Sequence, residues 1–160
     1  MTAVNRRRFE AADVDWLVVQ HGALYAREYG FDDTFAPLVR SILEAFVANH
    51  DPACERGWIV QRGDVRLGSI FCVRLDDSTA KLRLFLLVPE ARGLGLGRKL
   101  LDTCMGFART AGYSRMQLWT HAEHEAACAL YVRAGWRMTD SRAIHSFGQD
   151  LEEQRWICRL

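Results

Sequence analysis

The 160-residue chain is predicted to be an α/β protein of the α+β type, with one mixed, mostly antiparallel sheet of six to seven strands flanked by about four helices. Three observations predict this class. Apolar residues recur at helical spacing in the first third of the chain, β-rich runs separated by turn residues fill the middle, and strands alternate with helices in the last half.

The first third predicts one strand and two helices. The strand covers residues 4–8, and the first helix covers 13–28 and ends at Gly30. Asp32 and Asp33 are predicted to cap a second helix, which Asp51-Pro52 stops. Its apolar residues are three or four positions apart: Phe35, Leu38, Val39, Ile42, Leu43, Phe46 and Val47.

The rest of the chain predicts a β-meander followed by strands and helices in alternation. Residues 84–88 are apolar on both faces, which indicates a strand in the centre of the sheet. A helix over 95–111, with Gly112 at its C-terminus, follows that strand. The remaining predicted elements are strands 57–61, 65–75, 81–88 and 114–120, a helix over 123–134, and strands at 136–141 and about 154–160.

Composition favours a single domain over residues 1–160 that acts away from nucleic acid and membranes. The formal net charge is +1, from 21 basic and 20 acidic side chains, so no global field attracts a polyanion. The five cysteines are widely spaced and show no zinc-binding pattern, which is typical of reduced thiols in a cytoplasmic protein, and no metal is expected. The sequence has neither a membrane-span pattern nor a signal-peptide pattern.

The segment from Arg92 to Gly97 is the most informative motif. Its three glycines let the backbone approach a ligand closely, and the N–H groups of the helix that follows would point at an anion. The dinucleotide fingerprint fails because its third glycine is missing, and the nucleotide-triphosphatase loop fails because Arg98-Lys99-Leu100 follows Gly97. What is left is Arg-x-x-Gly-x-Gly between a buried strand and an amphipathic helix.

This segment resembles motif A of the GCN5-related N-acetyltransferase (GNAT) family. A second segment, Tyr131 to Trp136, matches that family's Tyr-x-Arg/Lys-x-Gly-aromatic signature at about the expected distance. The chain is most similar to the acetyltransferase domains that are fused behind MarR-type regulators. Three segments carry that likeness: residues 21–30, 118–120 and 146–148.

The resemblance implies the family's fold, with splayed central parallel strands, and acetyl-coenzyme A as the cofactor. Tyr131 is implied as the general acid, and the N–H of Leu87 as the donor to the thioester carbonyl. Twelve residues are implied to contact the cofactor: Phe85, Leu86, Leu87, Arg92, Gly93, Leu94, Gly95, Leu96, Gly97, Arg98, Tyr131 and Arg133. Ala127 is expected to join them.

The general base and the acceptor site are less defined. Many relatives have a glutamate on the central strand, but residues 82–88 contain no carboxylate. The remaining candidates for the base are His121, Glu28, His21 and an ordered water. Four residues are predicted to bind the acceptor: Tyr25, Glu28, Tyr29 and His121. Residues 146–148 are expected to close the other side.

These observations predict an N-acetyltransferase that transfers the acetyl group to a primary amine by direct attack in a ternary complex. A small molecule, a peptide N-terminus and a lysine all stay open as acceptors. An acyl-coenzyme A-binding sensor with weak turnover is the alternative, and a nucleotide-dependent oxidoreductase is disfavoured. An edge strand near the C-terminus also makes a homodimer an open alternative.

Overall fold

A computed structural model describes residues 3–160 and contains seven strands in one sheet, in the order β1-β2-β3-β4-β5-β7-β6. Every neighbouring pair is antiparallel except β4 and β5, so the mixed, mostly antiparallel α/β fold is confirmed. The elements are β1 (Val4–Arg8), α1 (Val14–Tyr29), α2 (Phe35–Asn49), β2 (Arg56–Arg62), β3 (Val65–Arg74), β4 (Thr79–Leu87), α3 (Leu96–Thr110), β5 (Arg115–His121), α4 (Glu125–Arg133), β6 (Arg137–Ser146) and β7 (Gln149–Arg159).

Most predicted elements lie within two residues of the observed bounds. Helix α1 ends at Gly30, whose φ of 70° is the left-handed conformation that glycine adopts readily. Helix α2 begins at Phe35 rather than directly after Asp33, because the Asp32 carboxylate accepts hydrogen bonds from the Thr34 N–H and hydroxyl in a turn before the helix.

The last two strands were predicted too short. Strands β6 and β7 form a long hairpin with Ser146 opposite Gln149, so that only Phe147 and Gly148 make the turn. Both turn residues have positive φ, 55° and 74°, as a tight hairpin turn requires. Strand β6 is exposed along nearly all of its length and lacks the apolar alternation by which strands are predicted.

Two apolar clusters cover opposite faces of the sheet. Helices α1 and α2 pack on Ile59 and Phe71, whereas α3 and α4 pack in the larger cluster on the other face. Trp58 and Val60, the neighbours of Ile59 in β2, belong to the larger cluster because successive side chains of a strand point to opposite faces.

Strands β4 and β5 separate soon after they meet. Their parallel pairing covers only residues 79–81 and 115–117, and β5 pairs along its whole length with β7. A bulge bends β4 on its other side: Arg83 lies opposite Phe71 and Leu86 opposite Ser69, with two residues of β4 facing one of β3. The result is a gap through the sheet beside residues 82–87.

Leu84 lies in the bulge with a φ of 51°, and its carbonyl accepts a 2.7 Å hydrogen bond from the Ser69 hydroxyl. Gly68 lets β3 approach closely here, since a Cβ at that position would lie 2.3 Å from the Leu86 carbonyl oxygen. The sequence did not predict the bulge.

A buried carboxylate ties the start of α1 to β1 and β3. Asp13 accepts two hydrogen bonds from Arg7 at 2.7 and 2.9 Å, one from Arg66 at 2.7 Å, and one from the Glu10 N–H at 2.8 Å. Burial acts to raise the pKa of Asp13, but these hydrogen bonds together lower it to about 2. Within residues 3–160, no helix is long and apolar enough to cross a membrane.

We expect Asp13→Asn to lower the free energy of unfolding by about 2–3 kcal/mol, because it weakens several charge-assisted hydrogen bonds. The carboxylate of the wild type is stabilising above its unfolded pKa of 3.8, and this stabilisation is lost as the pH falls towards about 2. As the pH falls from 3.8 to about 2, the free energy of unfolding of the variant should therefore decrease less than that of the wild type.

Urea unfolding at pH 7 and at pH 3 measures both effects. Asp15→Asn is the control. The Asp15 side chain is 85% exposed and its only ion-pair partner among residues 3–160 is Arg40, whereas the Asp13 side chain is 1% exposed. Equal losses in the two variants would contradict the role given to Asp13.

Candidate functional site

Two cavities meet at the gap between β4 and β5. The smaller one has a volume of about 280 Å³ and is lined in part by α2 and the β6–β7 turn, and the larger one, of about 400 Å³, is lined mainly by α1 and α4. Four residues line both cavities: Tyr25, Phe85, His124 and Ala127. The gap in the sheet therefore joins two chambers of small-molecule size.

The glycine-rich loop presents a row of free backbone donors near the larger cavity. The N–H groups of residues 93–98 donate to no acceptor among residues 3–160. Gly93 and Gly95 have φ values of 78° and 76°, and a Cβ at either would meet nothing within 4 Å. Gly97 lies on the cavity wall itself. Unpaired N–H groups at the start of α3 are suited to bind an anion such as a phosphate.

Two predicted site residues bind each other. The Arg92 guanidinium donates to both oxygens of Glu28, at 2.6 and 2.8 Å, across 64 positions of sequence. The hydrogen bonds from Arg92 hold the pKa of Glu28 below its ordinary value. Both residues line the larger cavity, so Glu28 lies away from the smaller one, where it was expected to meet an acceptor.

Tyr131 lies on the wall of the smaller cavity, close to the junction. Its side chain is buried, and its ring lies 5.6 Å from that of Trp136 and 6.4 Å from that of Phe85. Its hydroxyl has no hydrogen-bond partner among residues 3–160. Burial raises the pKa of Tyr131, with smaller effects from Tyr25 and nearby thiols, so the phenol keeps its proton at neutral pH.

Aromatic side chains roof the smaller cavity. The Tyr25 ring stacks on Phe35 with 4.6 Å between centroids, and Phe31 stacks on Phe147 at 4.9 Å. Phe147 comes from the β6–β7 turn, so the predicted closing segment does reach the cavity. Tyr29 contacts His121 and His124 but lines the larger cavity.

Three histidines line the smaller cavity, and each has a buried Nε2 without a hydrogen-bond partner among residues 3–160: His21, His121 and His124. The Nδ1 of His21 lies 2.7 Å from the Leu17 carbonyl, which can only accept, so Nδ1 carries the proton and the buried, unpartnered Nε2 is an acceptor. His121 repeats the pattern, with Nδ1 3.2 Å from the Glu123 carboxylate and Nε2 unpartnered.

Burial keeps these rings neutral. It lowers the pKa of His21 to about 4, against a weaker opposite effect of the hydrogen bond to Leu17. Burial also lowers the pKa of His121, although Glu123 acts to raise it. Burial and the neighbouring His121 lower the pKa of His124 to about 3. Neutral imidazole rings therefore surround the junction of the two cavities at neutral pH.

Other predicted residues lie at the edge of the site. Arg98 pairs with Asp102 one turn along α3, and Arg133 is exposed and lines neither cavity. Leu94 is half exposed at the tip of the loop. Leu86 and Leu87 line the larger cavity, and Leu96 is buried in the core.

Sequence reasoning missed Glu123, Phe31, Phe35 and two cations of β4. Lys81 and Arg83 are the only charged residues in β4, and both line the smaller cavity. Two charges within an otherwise apolar central strand were the available signal.

We expect the His21 ring to stay neutral down to about pH 4, with its proton on Nδ1. The unfolded ring takes up a proton near its ordinary pKa of 6.5, so His21 makes the fold less stable as the pH falls from about 6.5 to 4. Nitrogen-detected NMR across pH 3–8 measures the tautomer and the titration. The same ring in the urea-unfolded chain is the control, and folded-state titration above pH 5.5 would contradict the burial argument.

Comparisons with known proteins agree on one family. A sequence model of a protein family, described as "Acetyltransferase (GNAT) family", matches residues 17–136. Human N-acetyltransferase 8B is 30% identical over 110 residues, which are 64% of this chain and 48% of that protein. The chain thus spans about half the length of this curated relative.

Solved structures share the fold. An acetyltransferase from Streptococcus agalactiae superimposes with a TM-score of 0.82 at 22% identity over 100% of both chains. The protein yncA of Salmonella typhimurium, whose structure contains its cofactor acetyl-coenzyme A, gives 0.75 at 20% identity and covers 98% of this chain and 94% of that one.

Proposed function

Because the chain belongs to the acetyltransferase (GNAT) family, we propose that it is an N-acetyltransferase that transfers the acetyl group of acetyl-coenzyme A to a primary amine by direct attack in a ternary complex. The observation that carries this proposal is the pair of cavities that meet beside β4. Each is large enough for one reactant, and their junction brings the two together.

The larger cavity and the glycine-rich loop suit acetyl-coenzyme A, which supplies a thioester as the acyl donor. The free N–H groups of residues 93–98 would bind its pyrophosphate. Beyond Lys81, β4 has no hydrogen-bonded strand neighbour on the β5 side in the described part of the chain, so residues 85–87 can pair with an extended ligand as with an added strand. The Leu87 N–H is the proposed donor to the thioester carbonyl.

Arg92 contributes less to the phosphate site than its place in the motif suggests. Its charge is already matched by Glu28, and that of Arg98 by Asp102. Backbone donors of the loop are therefore the main source of phosphate affinity in this proposal.

Tyr131 is the proposed general acid for the thiolate that leaves. It is protonated, buried and free of any partner that would compete for its hydroxyl among residues 3–160. Transfer of its proton to a thiolate positioned at the junction fits the role of a phenol.

Among the candidate bases, His121 fits best. Glu28 is engaged by Arg92, and a pKa of about 4 makes His21 a weak proton acceptor. His121 lines the smaller cavity with a bare Nε2, and the Glu123 carboxylate holds the Nδ1 proton and would stabilise an imidazolium.

The likeness to domains fused behind MarR-type regulators concerns the acceptor chamber. All three segments that carry it contribute to the smaller cavity: residues 21–30 through Tyr25, residues 118–120 through Trp119, and residues 146–148 through Phe147. Shared acceptor chemistry is the proposed basis of that likeness. Strand β6 is the sheet edge at which a homodimer would form.

We expect Tyr131→Phe to lower kcat about 100-fold, in the range of a lost general acid, with little change in the dissociation constant for acetyl-coenzyme A. Release of free thiol over a panel of primary amines measures turnover. Tyr113→Phe is the control, since that buried hydroxyl donates to the Cys54 carbonyl and lines neither cavity.

Full turnover by Tyr131→Phe would contradict its role. Tight cofactor binding by the wild type without turnover of any amine would contradict the enzyme proposal itself and favour the sensor.

We expect Gly95→Glu to weaken acetyl-coenzyme A binding at least tenfold, because the new carboxylate would lie among N–H groups that bind phosphate. Gly112→Glu is the control for strain, since Gly112 also has positive φ and open space around its Cβ position, at the other end of α3. Isothermal titration measures both affinities. Unchanged binding by Gly95→Glu would show that the loop is not the phosphate site.

A further inference from the structure

Two cations project into the smaller cavity from β4. Lys81 and Arg83 alternate with Ala80 and Leu82, which belong to the cluster packed on α3 and α4, so the two cations lie on the opposite face, towards α2. Both line the cavity, and both are half-buried.

No carboxylate among residues 3–160 forms an ion pair with either cation, although the charge of Glu153 acts to raise the pKa of Lys81. Among residues 3–160, neither Lys81 nor Arg83 has an acidic group within 4.0 Å or a side-chain hydrogen bond. Glu153 is the carboxylate on the same cavity wall, but it accepts two hydrogen bonds from Arg142, at 2.7 and 3.0 Å. The wall therefore carries a positive charge that the fold does not balance.

The two cations also disfavour each other. Burial, and then the charge of Arg83, lower the pKa of Lys81, and burial lowers the pKa of Arg83. Half-buried cations without an ion-pair partner raise the free energy of the folded state, and an anion bound between them would offset that free energy.

The same cavity also holds an unpartnered acceptor. His21 is 1% exposed and lines the cavity, and its Nε2 is buried without a hydrogen-bond partner among residues 3–160. A neutral imidazole nitrogen accepts from an amine N–H but repels a carboxylate, so His21 suits the amine of a ligand rather than its anionic group.

We propose that the acceptor is a small primary amine that carries an anionic group, as an amino acid does, with Lys81 and Arg83 binding that group. This inference rests on the proposed function and specifies its acceptor. Arg83 lies two residues before Phe85, where the cavities meet, and both residues line the smaller cavity. A ligand whose anionic group and amine are a few bonds apart fits its volume of about 280 Å³.

A paired panel tests this substrate class in the full chain. Each pair is an amino acid and the amine that remains after loss of its carboxylate: tyrosine with tyramine, histidine with histamine, and lysine with cadaverine. Phosphoethanolamine tests a phosphate as the anionic group, and spermidine is the purely cationic arm. We expect kcat/KM for at least one anionic amine to exceed that for its decarboxylated partner about tenfold or more. Equal or better turnover of the decarboxylated amines and spermidine would overturn the inference.

Variants locate the anion site. Lys81→Met and Arg83→Met keep side-chain bulk, and each should raise KM for the anionic amine about tenfold or more while KM for acetyl-coenzyme A stays the same. Arg115→Met is the matched control, since Arg115 is an exposed cation of the neighbouring strand that lines neither cavity. If both methionine variants behave like Arg115→Met, the cations do not bind the acceptor.

Direct binding separates this inference from the proposed function. NMR titration of the wild type with the same panel at millimolar concentration, with and without coenzyme A, needs no turnover. Binding of anionic amines that Arg83→Met weakens supports the anion site even if acetyl transfer is never observed. If no anionic amine binds more tightly than its decarboxylated partner, the anion site is wrong even if acetyl transfer is confirmed.

Discussion

The early separation of β4 from β5 is the constraint on which the site depends. Backbone groups in the interior of a sheet are normally paired, yet within residues 3–160 β4 has no strand neighbour on the β5 side beyond Lys81. Strand β5 avoids the same problem by pairing with β7 over residues 115–121. The free edge of β4 then faces a gap that joins two cavities, so one unpaired strand segment accounts for both the gap and the free backbone groups beside it.

The bulge in β4 makes this separation stable. Leu84 takes a left-handed conformation that leucine rarely adopts, and the strain is offset by the hydrogen bond from Ser69 and by packing against the cluster under α1 and α2. Gly68 permits the close approach of β3 at the same level. The bulge also changes which side chains face which side of the sheet, so Lys81 and Arg83 face one chamber and Leu86 and Leu87 line the other.

Features encoded by a few adjacent residues were predictable. The positive φ of Gly93 and Gly95 and the end of α1 at Gly30 follow from glycine itself, and the central place of β4 follows from its apolar run.

Pairings between distant residues were not predictable from one sequence. The Glu28–Arg92 ion pair spans 64 positions, and Glu123 becomes relevant only because its turn returns the carboxylate to His121. The β6–β7 hairpin was underestimated because its polar strands are held by backbone pairing and cross-strand ion pairs such as Arg142–Glu153.

The two chambers differ in whether main-chain or side-chain groups are available in them, and this difference explains why one was easier to predict. Near the larger cavity, Arg92 and Arg98 are neutralised by partners, and main-chain N–H groups are left to bind. Main-chain recognition needs only glycines at fixed spacing, so it leaves a motif in the sequence. The smaller cavity instead uses side chains from separate elements, with His21 on α1, Arg83 on β4 and His121 on β5. Residues on separate elements leave no shared local pattern, because only the fold brings them together.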